Sequence, residues 1–471
     1  MRRPLLPDIA LCCALATFAA CAETAQLRNR PPPPPSGASD PGGGAISLPS
    51  ANAEYPTDDV AAWGPPGDAA APPDAAGQLS ADQVARGRYL AVAGDCKACH
   101  TNPGGQPFAG ARPIGTPFGI IYSANITADP KTGIGRWSEA DFYRAMHKGV
   151  AHGGKNLYPA FPYPYFTHMS RSDVDAIWAY LLTLPPTYQV TPPTRLPFPL
   201  NIRFLLKLWN ALFFRAGEFR PDPARTAEWN RGAYLVSGPG HCGGCHTPKN
   251  LLGADRNRHA LRGGRLENWV ALDLTGDPRA GLASWDKGDI VEYLRSGRNA
   301  RAAASGSMQE VIYDSTSRMS DSDLAAIATY LKGLSAPAQR RVAKPPADDA
   351  MRAGAAIYAD TCAACHGVNG EGQPRYYPPL TGDAPVQSGD PTTIIRIILE
   401  GSRAVPTPAR PTAPGMPAFA WKLNDQEVAS VATFVRNAWG NSAPAVPHGK
   451  VARLRRRYGH IDGAATPAGE P

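Results

Sequence analysis

Six of the nine cysteines fall into three copies of one short pattern: Cys96-Lys97-Ala98-Cys99-His100, Cys242-Gly243-Gly244-Cys245-His246 and Cys362-Ala363-Ala364-Cys365-His366. The other three, Cys12, Cys13 and Cys21, lie within the first 21 residues, so no cysteine is left for a disulfide framework. Two cysteines three apart on a helical turn reach two vinyl carbons of one porphyrin edge. The adjacent histidine then lies over the ring and supplies a nitrogen to the iron. This is the attachment pattern of c-type haem. Zinc is the rival, but a structural zinc site takes four ligands, usually from two paired motifs. Three isolated copies, each with histidine in the same place, fit haem. The reading is three covalently bound haem c groups on Cys96/Cys99, Cys242/Cys245 and Cys362/Cys365, with His100, His246 and His366 as proximal ligands.

Methionine opposite histidine raises the haem potential and suits electron transfer. In the third copy, Met416 in Pro414-Gly415-Met416-Pro417 is the expected distal ligand. In the second, Met308 on a Gly306-Ser307 loop is preferred to Met319, which abuts a helix start. In the first, the corresponding loop reads Tyr158-Pro159-Ala160-Phe161-Pro162, with Phe where a ligand is expected; Met169 is preferred there to His168 or Met146. His147, His152, His241, His259, His448 and His460 read as surface or hydrogen-bonded residues. Pro248, and Pro378-Pro379, are placed to offer carbonyls to the proximal imidazoles, a contact that tunes the iron. There is no Gly-x-Ser-x-Gly and no His-Glu-x-x-His, so no catalytic residue is assigned.

The elements that must hold these groups repeat with them. Before each motif comes a short helix carrying Gly and Tyr: Ser80 to Ala93 with Gly87 and Tyr89, Glu228 to Val236 with Gly232 and Tyr234, and Asp348 to Ala359 with Gly354 and Tyr358. Ser80 and Gln83 form a capping-box pair. Each copy closes on a capped amphipathic helix: Ser170 to Leu182, Ser320 to Leu331 and Asn424 to Asn437, with apolar residues three and four apart. Small c-type cytochrome domains pack such a first and last helix together beside the haem. The fold class is therefore all-α, three tandem small cytochrome c domains over 80–190, 226–336 and 348–440, joined by Pro-rich linkers.

Length and composition agree. At about 150 residues per domain, 471 residues make about three. Gly and Pro together reach 97 residues, which leaves room for linkers at 191–225 and 337–347. Charged residues are 19% and the net charge is +8, too little for a coiled coil or a nucleic-acid stripe.

Arg2 and Arg3 precede an apolar run from Ile9 to Ala20, a signal-peptide core too short to span a bilayer, so 1–22 reads as a signal. Either cleavage at Ala20-Cys21-Ala22 leaves Glu23 first, or Phe18-Ala19-Ala20-Cys21 acts as a lipobox and Cys21 carries lipid. Residues 23–79 read as a disordered tether: 31–79 hold no Lys or Arg, and Pro31 to Pro35 are a proline run. The expected location is periplasmic, bound to the inner membrane. Leu196 to Phe214 is apolar but interrupted by Asn201, Arg203, Lys207 and Asn210, too polar to span. It lies on a membrane surface, docks on a partner, or straps domains together. The stretch 441–471 reads as a disordered tail with Lys450, Arg453, Arg455, Arg456 and Arg457.

The three motifs in order resemble the three-haem cytochrome c subunit of membrane-bound bacterial dehydrogenases for alcohols, sorbitol, gluconate and related sugar acids. So do Leu157-Tyr158-Pro159-Ala160-Phe161-Pro162-Tyr163, Leu196-Pro197-Phe198-Pro199, Trp209-Asn210 with Phe213-Phe214, Trp229-Asn230-Arg231-Gly232-Ala233-Tyr234-Leu235 and Gly240-His241 leading into the second motif with Thr247-Pro248 after it. The resemblance covers roughly 80–440. It implies a relay: a separate flavin-, pyrroloquinoline-quinone- or molybdenum-dependent large subunit oxidises substrate, and this chain passes the electrons to ubiquinone or a terminal oxidase. The long N-terminal linker and the polar, basic tail depart from that family. Two other readings stay open: a haem enzyme with one five-coordinate iron, and a tethered free electron carrier.

Overall fold

A computed structural model describes residues 79–335, 343–344 and 346–458. These belong to one compact unit. The signal, Cys21, the tether, most of the 337–347 linker and His460 lie outside the described residues.

The chain builds a similar arrangement three times. In the first segment, α1 (Ala81–Ala93) leads to the motif, a hairpin of β1 (Pro113–Thr116) and β2 (Gly119–Tyr122) follows, then α2 (Glu139–Lys148) and α3 (Arg171–Leu182). A strap carries α4 (Leu205–Phe213). The second segment has α5 (Ala227–Ser237), a hairpin of β3 (Arg262–Leu266) and β4 (Trp269–Asp273), α6 (Lys287–Ser296), α7 (Ser307–Asp314) and α8 (Asp321–Lys332). The third has α9 (Asp348–Thr361), α10 (Thr392–Glu400), the short antiparallel pair β5 (Ser402–Arg403) and β6 (Gly415–Met416), α11 (Asp425–Val435) and α12 (His448–Tyr458).

First and last helices pack as pairs: α1 on α3, α5 on α8, α9 on α11. The Gly of each first helix makes this possible. A Cβ at Gly87 would stand 1.8 Å from the Ala176 carbonyl oxygen, and one at Gly232 would stand 1.9 Å from that of Ala326. Each pair buries its own core. Leu90, Val174, Ile177 and Leu181 fill the first, Leu235, Leu324 and Leu331 the second, and Ile395, Val428 and Val431 the third. A buried side chain of this size contributes about 1.5–3 kcal/mol. The helix starts are set locally: Ser138 with Asp141, Asp286 with Asp289 and Asn424 with Glu427 form reciprocal capping boxes. Ser80 accepts the Gln83 N–H at 3.1 Å.

Two corrections follow. The all-α expectation omits the small β-hairpins. Within the apolar linker 191–225, α4 buries Leu206, and Trp209 donates to the Leu252 carbonyl at 2.9 Å. The 441–471 tail is not disordered over 448–458, where α12 seats Val451 and Leu454 in the third core and Arg455 donates to Asp425 at 2.7 Å. Residues 459–471 lie outside the described residues.

Candidate haem sites

Each motif emerges at the end of a segment's first helix. Asp95, in the left-handed region at φ 50°, turns the chain from α1 into a short helix Cys96–His100. Cys242 and Cys362 cap the equivalent turns Gly243–His246 and Ala363–His366. All six cysteines are unpaired, and within each motif they stand one turn apart.

The histidines share one arrangement. His100 Nδ1 lies 2.7 Å from the Ala124 carbonyl, just past β2; His246 Nδ1 lies 2.7 Å from the Leu272 carbonyl in β4; His366 Nδ1 lies 3.0 Å from the Pro378 carbonyl. Each Nδ1–H donates to a carbonyl, which leaves Nε2 as the free nitrogen. Burial holds all three imidazoles below their ordinary pKa, in the neutral form that ligates. The Pro378 carbonyl stands where the sequence placed it. The Pro248 carbonyl does not serve His246: it accepts the Arg256 N–H at 2.9 Å, and the β3–β4 hairpin folds back to bring Leu272 instead.

Burial pushes the Cys96 thiol up to about 12 and the Cys245 and Cys362 thiols up to about 11. Among the described residues no cluster of three or more His, Cys, Asp or Glu is arranged to hold a metal ion. The surroundings also fit haem's carboxylates. Arg298 is 4% exposed, touches Thr412 Oγ1 at 3.3 Å through Nη2, and finds no protein partner for Nε or Nη1. An unpaired buried guanidinium is costly unless an anion meets it.

The methionines separate into two kinds. Met416 sits in β6 opposite Ser402, and Met308 opens α7 beside Tyr293, half-buried. Met319 and Met169 each stand one residue before an N-cap serine and are buried in the helix-pair cores. Met146 lies in the same core as Met169. His168 Nδ1 meets the Ser237 carbonyl at 2.9 Å. Phe161 packs on Phe166, with ring centroids 5.5 Å apart. His147 stacks on Tyr143, and His152 meets Asp141 at 2.8 Å.

The segments touch through contacts that no local pattern announces. Tyr89 donates to Asp323, and Tyr234 returns the bond to Asp173. Arg112 grips Glu310 with both oxygens, at 2.8 and 2.9 Å, and donates to the Ala98 carbonyl inside the first motif. A Cβ at Gly243 would meet Tyr165 of the first segment at 2.8 Å, so that ring covers the second motif. Between second and third segments, Arg396 lies 3.8 Å over the Trp269 ring, and Arg375 and Arg410 share Glu292.

A family model described as cytochrome c matches residues 84–185 and 351–439. The cytochrome c subunit of gluconate 2-dehydrogenase from Pantoea cypripedii is 42% identical, over 79% of this chain and 89% of its own length. The cytochrome c subunit of quinone alcohol dehydrogenase from Gluconacetobacter polyoxogenes is 40% identical, over 79% and 84%. The fructose dehydrogenase cytochrome subunit from Gluconobacter japonicus is 34% identical, over 79% and 82%.

Proposed function

The chain belongs to the family of dehydrogenase cytochrome c subunits that these relatives represent, and we propose that it carries three haem c groups and relays electrons from a catalytic subunit to the membrane quinone pool or a terminal oxidase. The observation that carries the reading is the threefold recurrence of one site: paired cysteines, and a buried imidazole whose Nδ1–H is held by a carbonyl. The haem supplies a one-electron couple. The protein fixes it: Cys96/Cys99, Cys242/Cys245 and Cys362/Cys365 bond it, and His100, His246 and His366 present Nε2 to the iron. With haem bound, the Met308 and Met416 thioethers would hold the iron and raise its potential. The carbonyls of Ala124, Leu272 and Pro378 keep each imidazole in one orientation and enrich its electron density. Arg298, buried with Nε and Nη1 unpartnered, would neutralise a haem carboxylate.

The partner is a flavin-, pyrroloquinoline-quinone- or molybdenum-dependent dehydrogenase subunit, and the working location is the periplasmic face of the inner membrane. The strap supports a membrane-surface role. Phe198, Phe204, Leu208 and Leu212 are each more than 60% exposed, with Lys207 and Arg215 exposed beside them. Apolar side chains rimmed by cations suit an anionic bilayer surface. Among the described residues no helix is long and apolar enough to cross a membrane.

Purification from native membranes tests the whole reading. A co-purifying dehydrogenase subunit, with three haems per chain by pyridine haemochrome and intact mass, is the expected result. A chain isolated alone, or with fewer than three haems, overturns it.

A further inference from the structure

The first and second segments can be aligned on their backbones at the loop that leads to the distal side. Helix α2 ends on Gly149 and α6 on Gly297, both left-handed, at φ 66° and 74°. The next residue forms an isolated bridge in each: Val150 with Asn156, and Arg298 with Ala303. Five residues past the second bridge partner stands Met308 in one segment and Phe161 in the other. The opposite anchor agrees with the third segment. Phe161 precedes the Ser170 N-cap by nine residues, and Met416 precedes the Asn424 N-cap by eight.

Met169 holds a different place. It stands immediately before Ser170, as Met319 stands immediately before Ser320, and each is buried in its helix-pair core. The second segment contains both methionines, so the two positions are distinct: one faces the loop side, the other fills the core. The first segment keeps the core methionine and replaces the other with a phenyl ring, which has no lone pair to offer iron. Met146 is also committed to the core, and His168 stands two residues before its N-cap, in the place of Arg318 rather than of Met308, packed toward Ser237 and Gly238 of the second segment.

We propose that an iron held by His100 in the first segment would have no second protein ligand, so that it binds a small neutral ligand of the carbon monoxide class. This rests on the three-haem reading above, and the experiment keeps the two apart. Haem is first counted in the purified holoprotein by pyridine haemochrome and intact mass; a count below three refutes the parent reading. With three haems present, the dithionite-reduced protein is titrated with carbon monoxide. The expected result is a Soret change in about one third of the haem, unchanged in Met169→Ala and abolished in Phe161→Met. No change in the wild-type protein, or one that arises only in Met169→Ala, overturns the proposal. The wild-type ferric spectrum gives a check independent of any variant's folding: the methionine–iron charge-transfer band should carry about two thirds of the intensity of three Met-ligated haems, and full intensity overturns it.

Discussion

The Tyr89 hydroxyl donates a 2.6 Å hydrogen bond to Asp323 across the seam between the first two segments, and Tyr234 makes the reciprocal bond to Asp173. Both acids sit in the first turn of a closing helix, under its N-cap serine, and each is also held by its own segment's arginine: Asp173 by Arg86 at 2.5 Å and Asp323 by Arg231 at 2.7 Å. The exchange is two-fold in character and lies next to the first and second motifs, since Tyr89 and Tyr234 each lie within eight residues of a motif cysteine. With haem on both motifs, this clasp would hold their separation fixed.

Tyr89→Phe removes the bond to Asp323 together with the contacts of the same hydroxyl to the Ser320 N–H and Oγ, and Tyr234→Phe removes the bond to Asp173 together with the Ser170 N–H contact; each carboxylate keeps its arginine and cap. Such a bond contributes about 1.5–3 kcal/mol. Each variant should lose about 2 kcal/mol in denaturant unfolding of the holoprotein, and the double variant should depart from the sum, because Arg231, the partner of Asp323, also lies 5.7 Å over the Tyr234 ring. Losses below about 0.5 kcal/mol would show that the clasp does not hold the segments.

The same cluster sets an acid dependence. Burial raises the Asp323 carboxyl, but the Arg231 guanidinium and the Tyr89 hydroxyl outweigh it and hold the group below its ordinary value. A depressed folded-state pKa stabilises above the unfolded value, near 4, and the contribution is lost as pH falls through the folded one. The stability gap between wild type and Asp323→Asn should therefore be flat from pH 7 to about 5 and close below about pH 4. A gap that stays constant into acid would show that the ionised carboxylate contributes nothing there.

The parts legible in the sequence were those with short periods. Cysteine spacing marked the three candidate sites, and apolar residues three and four apart gave the helix pairs, within two residues at most ends. The Gly and Tyr noticed in each first helix have structural causes: Gly87 and Gly232 lie under a crossing helix's carbonyl, and Tyr89 and Tyr234 reach the neighbouring segment. The rest depends on distant partners. Leu272 serves His246 only because a hairpin closes over the motif, which Thr247-Pro248 does not announce. Helix α12 forms because Val451 and Leu454 find a core and Arg455 finds Asp425, Ala420 and Leu423; its arginines alone read as a solvated tail.

Gly232→Ala should be severe. Its Cβ would stand 1.9 Å from the Ala326 carbonyl, a helix backbone atom that cannot turn aside, so α5 and α8 must separate. Overpacking ordinarily costs about 1–3 kcal/mol. A backbone clash in the pair that frames the second motif should reach the top of that range or exceed it, and should lower the yield of haem-loaded protein. A thermal midpoint within a degree of wild type would show that the helices cross elsewhere.

The two methionines of the second segment allow a decisive comparison, because position alone distinguishes them. Met319 is 8% exposed in the helix-pair core, and its replacement by Ala should cost about 2–5 kcal/mol while leaving the redox titration unchanged. Met308 is half-buried at the start of α7, outside that core, so Met308→Ala should cost less stability. It should lower one haem's midpoint potential, because the thioether that favours the reduced iron is lost. Met416→Ala should do the same to a different haem. All three variants should retain full covalent haem, since Cys242, Cys245, Cys362 and Cys365 are untouched. Spectroelectrochemical titration resolves the outcomes: a shift in Met319→Ala together with none in Met308→Ala would exchange the roles of the two residues, and with them the place of the distal ligand in the second segment.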